Sequence, residues 1–313
     1  MGCFNGGSWI EYTGGGEAVY VENCQYSGIE NAFITGGGVK LLNGFQLKVS
    51  HVRIDNAPTG VDIMSCTETD LRNLTLRNLS GSFGVRVRGV SFAPSYRTVI
   101  DNMRADAPDN GNINITWLLV ESYAHTVVID KAALLNGKHA MLMRDSVYAS
   151  RPPGSPHGDS FSRWVIASDL ECDHNHSDAI KLEHGEGVFL TGSWIGSSIT
   201  GHGIFCASDF RGEVSVGNSR LMGNWLSGIR IVSSGQYTFT GCVIGDNNAS
   251  NGNNYGIDID NAGSKTAVTG CIIGDVVGVP GNKQQFGIWL NAGELQHAAN
   301  IIFGNTTGGI RTP

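Results

Sequence analysis

The sequence predicts an all-β protein built as a single-stranded right-handed parallel β-helix, a solenoid of about ten coils of short strands. A recurring tetrapeptide, a high glycine content and an alternation of apolar and free positions predict this fold. Glycine accounts for 44 of the 313 residues, whereas charged residues make up 16%. This composition is typical of a chain with many tight turns and few amphipathic surface helices.

The tetrapeptide consists of Gly or Ala, an apolar residue, a free position and a second apolar residue. It occurs as GVDI at 60, GVRV at 84, AMLM at 140, AIKL at 179, GIFC at 203, GIRI at 228, GIDI at 256 and GIWL at 287, and a last coil begins at Gly309. The spacing indicates coils of about 24 residues plus insertions, with one unrecognised strand inside ITWLLVES at 115. A β-sandwich or a propeller would compete, but the hairpin signals of those folds are missing.

A repeat of this kind fills the whole chain, so we expect one domain over residues 1–313. Residues 1–45 are expected to form irregular N-terminal coils, and residues 145–163 a long inserted turn. About ten residues before most tetrapeptides stands a small or polar residue, and these residues are expected to stack in one column. The column comprises Asp169, Ser193, Asn218, Cys242, Cys271 and Asn300. Cys242 above Cys271 is close enough for a disulfide, although two stacked thiols are the preferred interpretation.

Charge and composition exclude several functions. A net charge of -7 disfavours nucleic acid as a partner, because phosphate binding needs concentrated Lys and Arg. No apolar run is long enough to insert into a membrane, and the first residues carry no recognisable signal peptide. The seven cysteines are scattered without a CxxC pair, so we expect no metal and no cofactor.

Strand alternation turns the third and fifth positions of each repeat outward, onto one face. This face is rich in charged and aromatic side chains, which suits sugar rings and their hydroxyl or acidic substituents. Ionisable residues are densest around the coil at 178, and the long turn before it adds more. The predicted catalytic residues are Asp178, Glu183, Asp159, His202 and Asp173, and the predicted substrate-binding residues are Lys181, Arg144, Arg230, His157, Phe205, Asp258, Asp260 and Trp289.

Several of these segments resemble a known family. SDAIKLEHG at 177 and GHGIFCAS at 201 look like the paired-aspartate and Gly-His-Gly segments of the polygalacturonases, glycoside hydrolase family 28; SPHGDSF at 155 and GIRIVS at 228 are further echoes. The resemblance implies that Asp178 is a general acid, that His202 is the Gly-His-Gly histidine, and that Arg230 grips substrate, with Asp159 as a candidate upstream carboxylate. Ser177 stands where that family has its first aspartate. The glycine- and asparagine-rich coils also resemble the trimeric tailspike depolymerases of bacteriophages.

Spacing alone supports a similar chemistry. Inverting glycosidases hold two carboxyl groups roughly 6.5 to 9.5 Å apart, and carboxylates one or two coils apart in a parallel stack fall at about 5 to 10 Å. Asp178 could pair with Glu183, Asp159 or Asp173, and burial would raise the pKa of the acid. Asp258 and Asp260 form a second pair on one strand.

Three functions follow as hypotheses. The first is a polysaccharide depolymerase, an inverting endo-glycoside hydrolase of a bacterial surface or acidic polysaccharide, located outside the cell or on a virion. The second is a lyase that acts by β-elimination on a uronate polymer, with Lys181, Arg144 or a histidine as the base. The third is a non-catalytic glycan-binding fibre or adhesin. A homotrimer is a hypothesis for the assembly.

Overall fold

The structure is a computed structural model that describes residues 2–4, 7–14, 16–108, 113–146, 161–250, 252–278 and 283–313. Within these ranges, the regular secondary structure consists of strands, and almost all strand pairs are parallel. This confirms the predicted fold class. Contacts within the chain define two compact units, residues 1–166 (unit 1) and 167–313 (unit 2). Accordingly, a single domain over the whole chain stays a prediction.

The described residues of unit 1 form thirteen complete strands. They are β1 (Gly2–Phe4), β2 (Gly7–Glu11), β3 (Glu17–Glu22), β4 (Gly28–Thr35), β5 (Gly38–Leu42), β6 (Lys48–Asp55), β7 (Val61–Met64), β8 (Thr67–Arg77), β9 (Phe83–Arg88), β10 (Ser95–Asp106), β11 (Thr116–Val120), β12 (Ala124–Leu135) and β13 (His139–Met143). Strand β14 (Arg163–Ser168) crosses the boundary between the units along the chain.

Two series of strands stack in unit 1. Series A runs through β2, β4, β6, β8, β10 and β12, and series B through β3, β5, β7, β9, β11 and β13. The strand predicted inside ITWLLVES is β11. The tetrapeptide pattern did not identify β11, because Trp117 is in register with Gly84, at the position where other coils have Gly or Ala.

Regular strands begin earlier than the sequence pattern indicated. The segment 1–45, expected to be irregular, contains β3 paired with β5 in parallel, and β5 starts with GVKL, another instance of the tetrapeptide. Strand β1 departs from the parallel order, because it pairs antiparallel with β2. The stacking therefore extends almost to the start of the described chain.

After β14, fifteen strands are formed by the residues of unit 2 that the structure describes. They are β15 (Glu171–Asp173), β16 (Ile180–Leu182), β17 (Glu186–Thr191), β18 (Trp194–Gly196), β19 (Ile204–Cys206), β20 (Gly212–Gly217), β21 (Arg220–Met222), β22 (Ile229–Ile231), β23 (Gly235–Thr240), β24 (Val243–Gly245), β25 (Ile257–Thr269), β26 (Ile272–Gly274), β27 (Phe286–Ala298), β28 (Ile301–Phe303) and β29 (Gly308–Arg311).

Three series stack in unit 2. Series C runs through β16, β19, β22, the first parts of β25 and β27, and β29. Series D runs through β15, β18, β21, β24, β26 and β28, and series E through β17, β20, β23 and the last parts of β25 and β27. Series C carries the tetrapeptides from AIKL at 179 onward, whose outward residues were predicted to form a face.

The small first residue of the tetrapeptide has a packing reason. A Cβ atom placed on Gly60 would lie 2.1 Å from the carbonyl oxygen of Gly84 on the next coil, and one placed on Gly256 would lie 2.5 Å from the carbonyl oxygen of Gly287. The second and fourth positions point inward, and Ile229, Ile231, Ile257 and Ile259 are fully buried. Close backbone approach and apolar burial thus explain the repeat.

The predicted column of small residues exists in unit 2, with a shift at two places. Within the column, the backbone N–H of a residue donates a hydrogen bond to the side chain of the residue on the next coil. These bonds run from Leu170 to Ser193, from Ser193 to Ser219, from Cys242 to Cys271, and from Cys271 to Asn300. Ser219, and not Asn218, therefore occupies the column, and Leu170 takes the place expected for Asp169. Asn218 and Asp169 instead have a positive φ of 49° and 51° and form the corner one residue earlier.

The cysteines of this column are thiols. Cys242 and Cys271 are both buried and free, and the Cys242 N–H lies 3.4 Å from the Cys271 sulfur. The preferred interpretation of two stacked thiols therefore agrees with the structure.

Candidate functional site

The outward side chains of series C form one continuous column in unit 2, which we call the series C face. The parallel register places one residue of each coil directly above the next. From the first coil to the last, the column comprises Lys181, Phe205, Arg230, Asp258, Trp289 and Arg311. Five of these were predicted; Arg311 was missed, although it holds the free position of the coil that begins at Gly309.

Asp178 lies beside the first coil of this face, in the turn that leads into β16. Its side chain is buried, and its Oδ1 accepts a hydrogen bond of 2.9 Å from the backbone N–H of His202 on the next coil. The close packing of the two turns explains the contact, because a Cβ atom on Gly201 would lie 2.3 Å from the Asp178 nitrogen. The Gly-His-Gly segment and the Asp178 turn therefore adjoin.

Burial raises the pKa of Asp178. The hydrogen bond from His202 and the positive charge of Lys181 act in the opposite direction, whereas the negative charge of Glu183 adds to the increase. Lys181 and Glu183 form an ion pair at 2.7 Å, and both side chains remain partly accessible. The site thus places a buried carboxyl group with a raised pKa near an accessible carboxylate.

His202 is a neutral, buried imidazole. Its Nδ1 accepts a hydrogen bond of 3.2 Å from the backbone N–H of Ser227, and its ring stacks on Phe205 with centroids 5.6 Å apart. Burial, together with the charge of Arg230, lowers the pKa of His202 to about 3. The contact between His202 and Asp178 is made by the His202 backbone N–H, whereas the imidazole contacts Ser227 and Phe205.

Arg230 is held by two carboxylates. It forms a close ion pair with Asp258 on the next coil and a longer one, 3.3 Å, with Asp260. Burial raises the pKa of Asp258 to about 6, although Arg230 opposes the increase. Asp260 also accepts a hydrogen bond of 2.6 Å from Asn291. The second predicted carboxylate pair therefore exists, and it is bound to the arginine that was expected to grip substrate.

Trp289 is engaged by side chains from the coils on either side. The Tyr255 ring stacks on it at 4.8 Å with an interplanar angle of 12°, and the Arg311 guanidinium lies 4.1 Å from the centre of the indole ring. Much of the indole is thus covered within the protein, so the prediction of an open sugar platform is incomplete. Tyr255 was missed by sequence reasoning, although it directly precedes the GIDI tetrapeptide.

Asp173 lies elsewhere in unit 2. It ends β15 in series D, where its carboxylate contacts the Nδ1 of His174 at 2.9 Å. Its strand pairs with β18, whereas Asp178 leads into series C. The expected pairing of Asp173 with Asp178 is not among the contacts that the structure shows for Asp173.

The remaining predicted residues lie in unit 1 or outside the described ranges. Arg144 follows β13 and forms a double hydrogen bond with Glu121, at 2.8 and 2.7 Å. Sequence reasoning missed Glu121, because β11, the strand that it directly follows, lacks the tetrapeptide. His157 and Asp159 lie outside the described residues, as does most of the long turn 145–163.

The described part of the chain offers neither a cluster of metal ligands nor a membrane-spanning helix. Within it, no group of three or more His, Cys, Asp or Glu side chains is arranged to hold a metal ion. The same residues include no helix that is long and apolar enough to cross a membrane.

Comparison with known proteins rests on structure. No family model and no curated protein sequence matches the chain. PfbA, a surface adhesin of Streptococcus pneumoniae, is similar with a TM-score of 0.58 and 10% identity over 98% of this chain and 86% of the adhesin. Tailspike protein 3 of bacteriophage CBA120 is similar with a TM-score of 0.51 and 15% identity over 98% of this chain and 52% of the tailspike.

These likenesses define the class of protein by fold alone. The chain is a right-handed parallel β-helix protein with the pectin-lyase-like architecture. It spans about half the length of the tailspike that it resembles.

Proposed function

We propose that the chain is a polysaccharide depolymerase that acts as an inverting endo-glycoside hydrolase on the series C face of unit 2. The observation that carries the proposal is Asp178, a buried carboxyl group whose pKa is raised and which adjoins the accessible carboxylate of Glu183. Two carboxyl groups with environments that separate their pKa values are what acid–base hydrolysis of a glycoside requires.

In this mechanism, Asp178 is the general acid. It transfers its proton to the glycosidic oxygen as the bond from that oxygen to the anomeric carbon breaks. Glu183 is the general base that takes a proton from the attacking water, which becomes the new hydroxyl on the anomeric carbon. Lys181, Phe205 and Arg230 contact the sugars along the column, with the edge of Trp289 further on.

The fold supports an extracellular or virion-associated role. Two structures that the chain resembles are a surface adhesin of Streptococcus pneumoniae and a tailspike protein of a bacteriophage. We therefore propose a bacterial surface polysaccharide, or another acidic polysaccharide, as the substrate class.

The test is a depolymerisation panel of bacterial capsular, O-antigen and uronate polysaccharides, with products analysed by mass and anomeric configuration. We expect one polymer to release oligosaccharides with inverted configuration. Asp178→Asn and Glu183→Gln should each lower the rate at least 100-fold, since general acid–base catalysis contributes about 10²–10⁴-fold. The matched control is Glu213→Gln, an exposed glutamate on series E, which should cleave at the wild-type rate.

Two results would contradict the hydrolase. Products that absorb near the ultraviolet edge contain the double bond left by β-elimination and would indicate a lyase. Unchanged rates in both Asp178→Asn and Glu183→Gln would remove these residues from catalysis.

A second candidate function is glycan binding without cleavage. It is favoured by Arg230, which already forms ion pairs with Asp258 and Asp260, and by Trp289, which Tyr255 and Arg311 cover in part. Such internal contacts give a rigid surface for recognition. Binding of a glycan that the wild-type protein leaves intact throughout the panel would support this candidate over the hydrolase.

A further inference from the structure

A second charged surface lies in unit 1, on series B, at the ends of β7, β9, β11 and β13. Two buried carboxylates, those of Asp62 and Glu121, are surrounded by three arginines. We call these five residues the series B cluster: Asp62, Arg86, Arg88, Glu121 and Arg144. None of them takes part in the site proposed on unit 2.

The cluster is held by ordered hydrogen bonds. Arg86 binds Asp62 with two nitrogens, at 2.8 and 2.6 Å, and Arg88 adds a third bond at 3.1 Å. Arg144 binds one oxygen of Glu121 through two nitrogens, at 2.8 and 2.7 Å. The Arg86 guanidinium also lies 4.3 Å from the centre of the Phe83 ring.

The parallel register explains why these side chains meet. Val87, Val120 and Met143 are paired on successive coils, and Arg88, Glu121 and Arg144 each follow one of them. Arg88 and Arg144 are therefore two coils apart, about 9.6 Å at the usual strand spacing, with Glu121 between them. The guanidinium of Arg88 binds Asp62, and that of Arg144 binds Glu121.

The charge balance of the cluster favours an anion. Three guanidinium groups face two carboxylates, so the cluster itself carries one positive charge in excess, in a chain whose net charge is -7; outside the cluster, the negative charge of Glu17 also acts on Arg86. Burial opposes ionisation of Asp62, but the hydrogen bonds and charges of Arg86 and Arg88 outweigh it and hold the pKa of Asp62 below its usual range. Both carboxylates are thus committed to the arginines and orient them.

Two of the arginines present donors outward. The side chains of Arg88 and Arg144 are 28% and 44% exposed, whereas those of Asp62 and Glu121 are 4% and 3% exposed. Within the described residues, the Nε of Arg88 is buried and has no hydrogen-bond partner. A buried donor without a partner is costly, and a ligand oxygen would remove that cost.

From this arrangement we infer that the series B cluster binds an acidic oligosaccharide through its carboxylates, with Arg88 and Arg144 as the contacting residues and Asp62, Glu121 and Arg86 as positioning residues. A planar carboxylate matches the donor fork of arginine, and a glycan is the carrier because the inference rests on the proposed function of unit 2. The site would add an acidic-sugar contact on unit 1 to a chain that acts on polysaccharide.

The test follows the Nε–H signal of Arg88 by NMR, identified by its loss in Arg88→Gln. Trigalacturonate is the probe and maltotriose its neutral counterpart. We expect the signal to shift saturably with trigalacturonate and to stay in place with maltotriose. Arg144→Gln should weaken the apparent affinity at least about tenfold, because charge-assisted hydrogen bonds contribute about 1.5–3 kcal/mol each.

The control variant is Arg53→Gln, which removes an exposed arginine paired with Asp55 on series A. It should leave the affinity unchanged. The inference fails if trigalacturonate does not move the Arg88 signal, if maltotriose moves it equally, or if Arg53→Gln weakens binding as much as Arg144→Gln. A shift with sulfated maltotriose but not with trigalacturonate would overturn the carboxylate assignment in favour of sulfate.

The readout is independent of catalysis on unit 2. If the hydrolase proposal is wrong, cleavage is absent, yields unsaturated products or is unaffected by Asp178→Asn and Glu183→Gln, yet the Arg88 signal still responds to trigalacturonate. If the series B inference is wrong, cleavage remains sensitive to Asp178→Asn while the Arg88 signal does not move.

Discussion

At the scale of single residues, environment decides what each ionisable group can do. Asp178 and Asp258 are both buried carboxyl groups, and burial raises the pKa of each, that of Asp258 to about 6. They differ in their partners: Asp178 receives a backbone N–H bond, whereas Asp258 faces the guanidinium of Arg230. Asp178 is therefore the better candidate for an acid that gives up its proton to substrate.

His202 shows the same principle in a base. Its Nδ1 is the acceptor for the Ser227 N–H, and its ring covers one side of Phe205. We predict that His202→Ala lowers the free energy of unfolding by about 2–4 kcal/mol, since it leaves a buried N–H without an acceptor and opens a cavity. Urea denaturation followed by circular dichroism measures the change.

The conservative variant separates the two causes. In His202→Asn, the side-chain oxygen can accept the Ser227 N–H, so we expect about 1 kcal/mol of the loss to be recovered. If His202→Asn and His202→Ala were equally unstable, the hydrogen bond would contribute nothing and the ring packing would account for the whole effect.

At the scale of strands and turns, ladders of side chains connect one coil of unit 2 to the next. The Ser193 N–H donates to the Ser219 hydroxyl at 3.1 Å, and that hydroxyl donates to the carbonyl of Gly217 at 2.8 Å. The same position carries Cys242 and Cys271 on later coils. What the position requires is a compact side chain that can accept a hydrogen bond.

This requirement can be tested at Ser219. We predict that Ser219→Ala destabilises the protein by about 1–3 kcal/mol, because the buried N–H of Ser193 loses its acceptor. Ser219→Cys should stay within about 1 kcal/mol of wild type, because sulfur serves the ladder elsewhere. Denaturant midpoints measure both variants.

The matched control for Ser219 is Ser215→Ala on the outer face of β20, which should change stability by less than about 0.5 kcal/mol. Equal losses in Ser219→Ala and Ser215→Ala would show that the ladder bond has no special contribution.

At the scale of the whole molecule, assembly is the property to measure. The resemblance to trimeric tailspikes motivates a homotrimer, and unit 1 exposes aromatic side chains at Tyr26 (73%) and Phe92 (89%) that a partner could cover. We predict that sedimentation equilibrium gives three times the mass of one chain at micromolar concentration. A mass equal to one chain at all concentrations would rule out the trimer.

The fold was largely predictable because its cause is local and repeated. Each coil needs a small residue where backbones approach, as at Gly60, and two inward apolar residues, so the pattern can be read from the sequence. The tetrapeptide alone did not identify two strands: β11, where Trp117 stands in the position of Gly84 and the strand was predicted from the spacing instead, and β5, where GVKL at 38 was overlooked.

The candidate site was predictable only in part. The outward column from Lys181 to Trp289 follows from strand alternation, and the structure places it as expected. Glu121 and Tyr255 could not be recognised in the same way, because they lie just outside the strands, where turn geometry determines the direction of a side chain.

The amino-acid sequence by itself therefore determined the β-helix class and the column of outward residues, because strand period and apolar burial act within each coil. Only the tertiary structure decided which charges meet. Because Asn218 adopts a left-handed backbone conformation, Ser219 and not Asn218 takes part in the ladder. Contacts between coils bury the carboxyl group of Asp178 and pair Arg144 with Glu121. Those pairings depend on the lengths and conformations of the turns, which vary from coil to coil and leave no periodic pattern in the sequence.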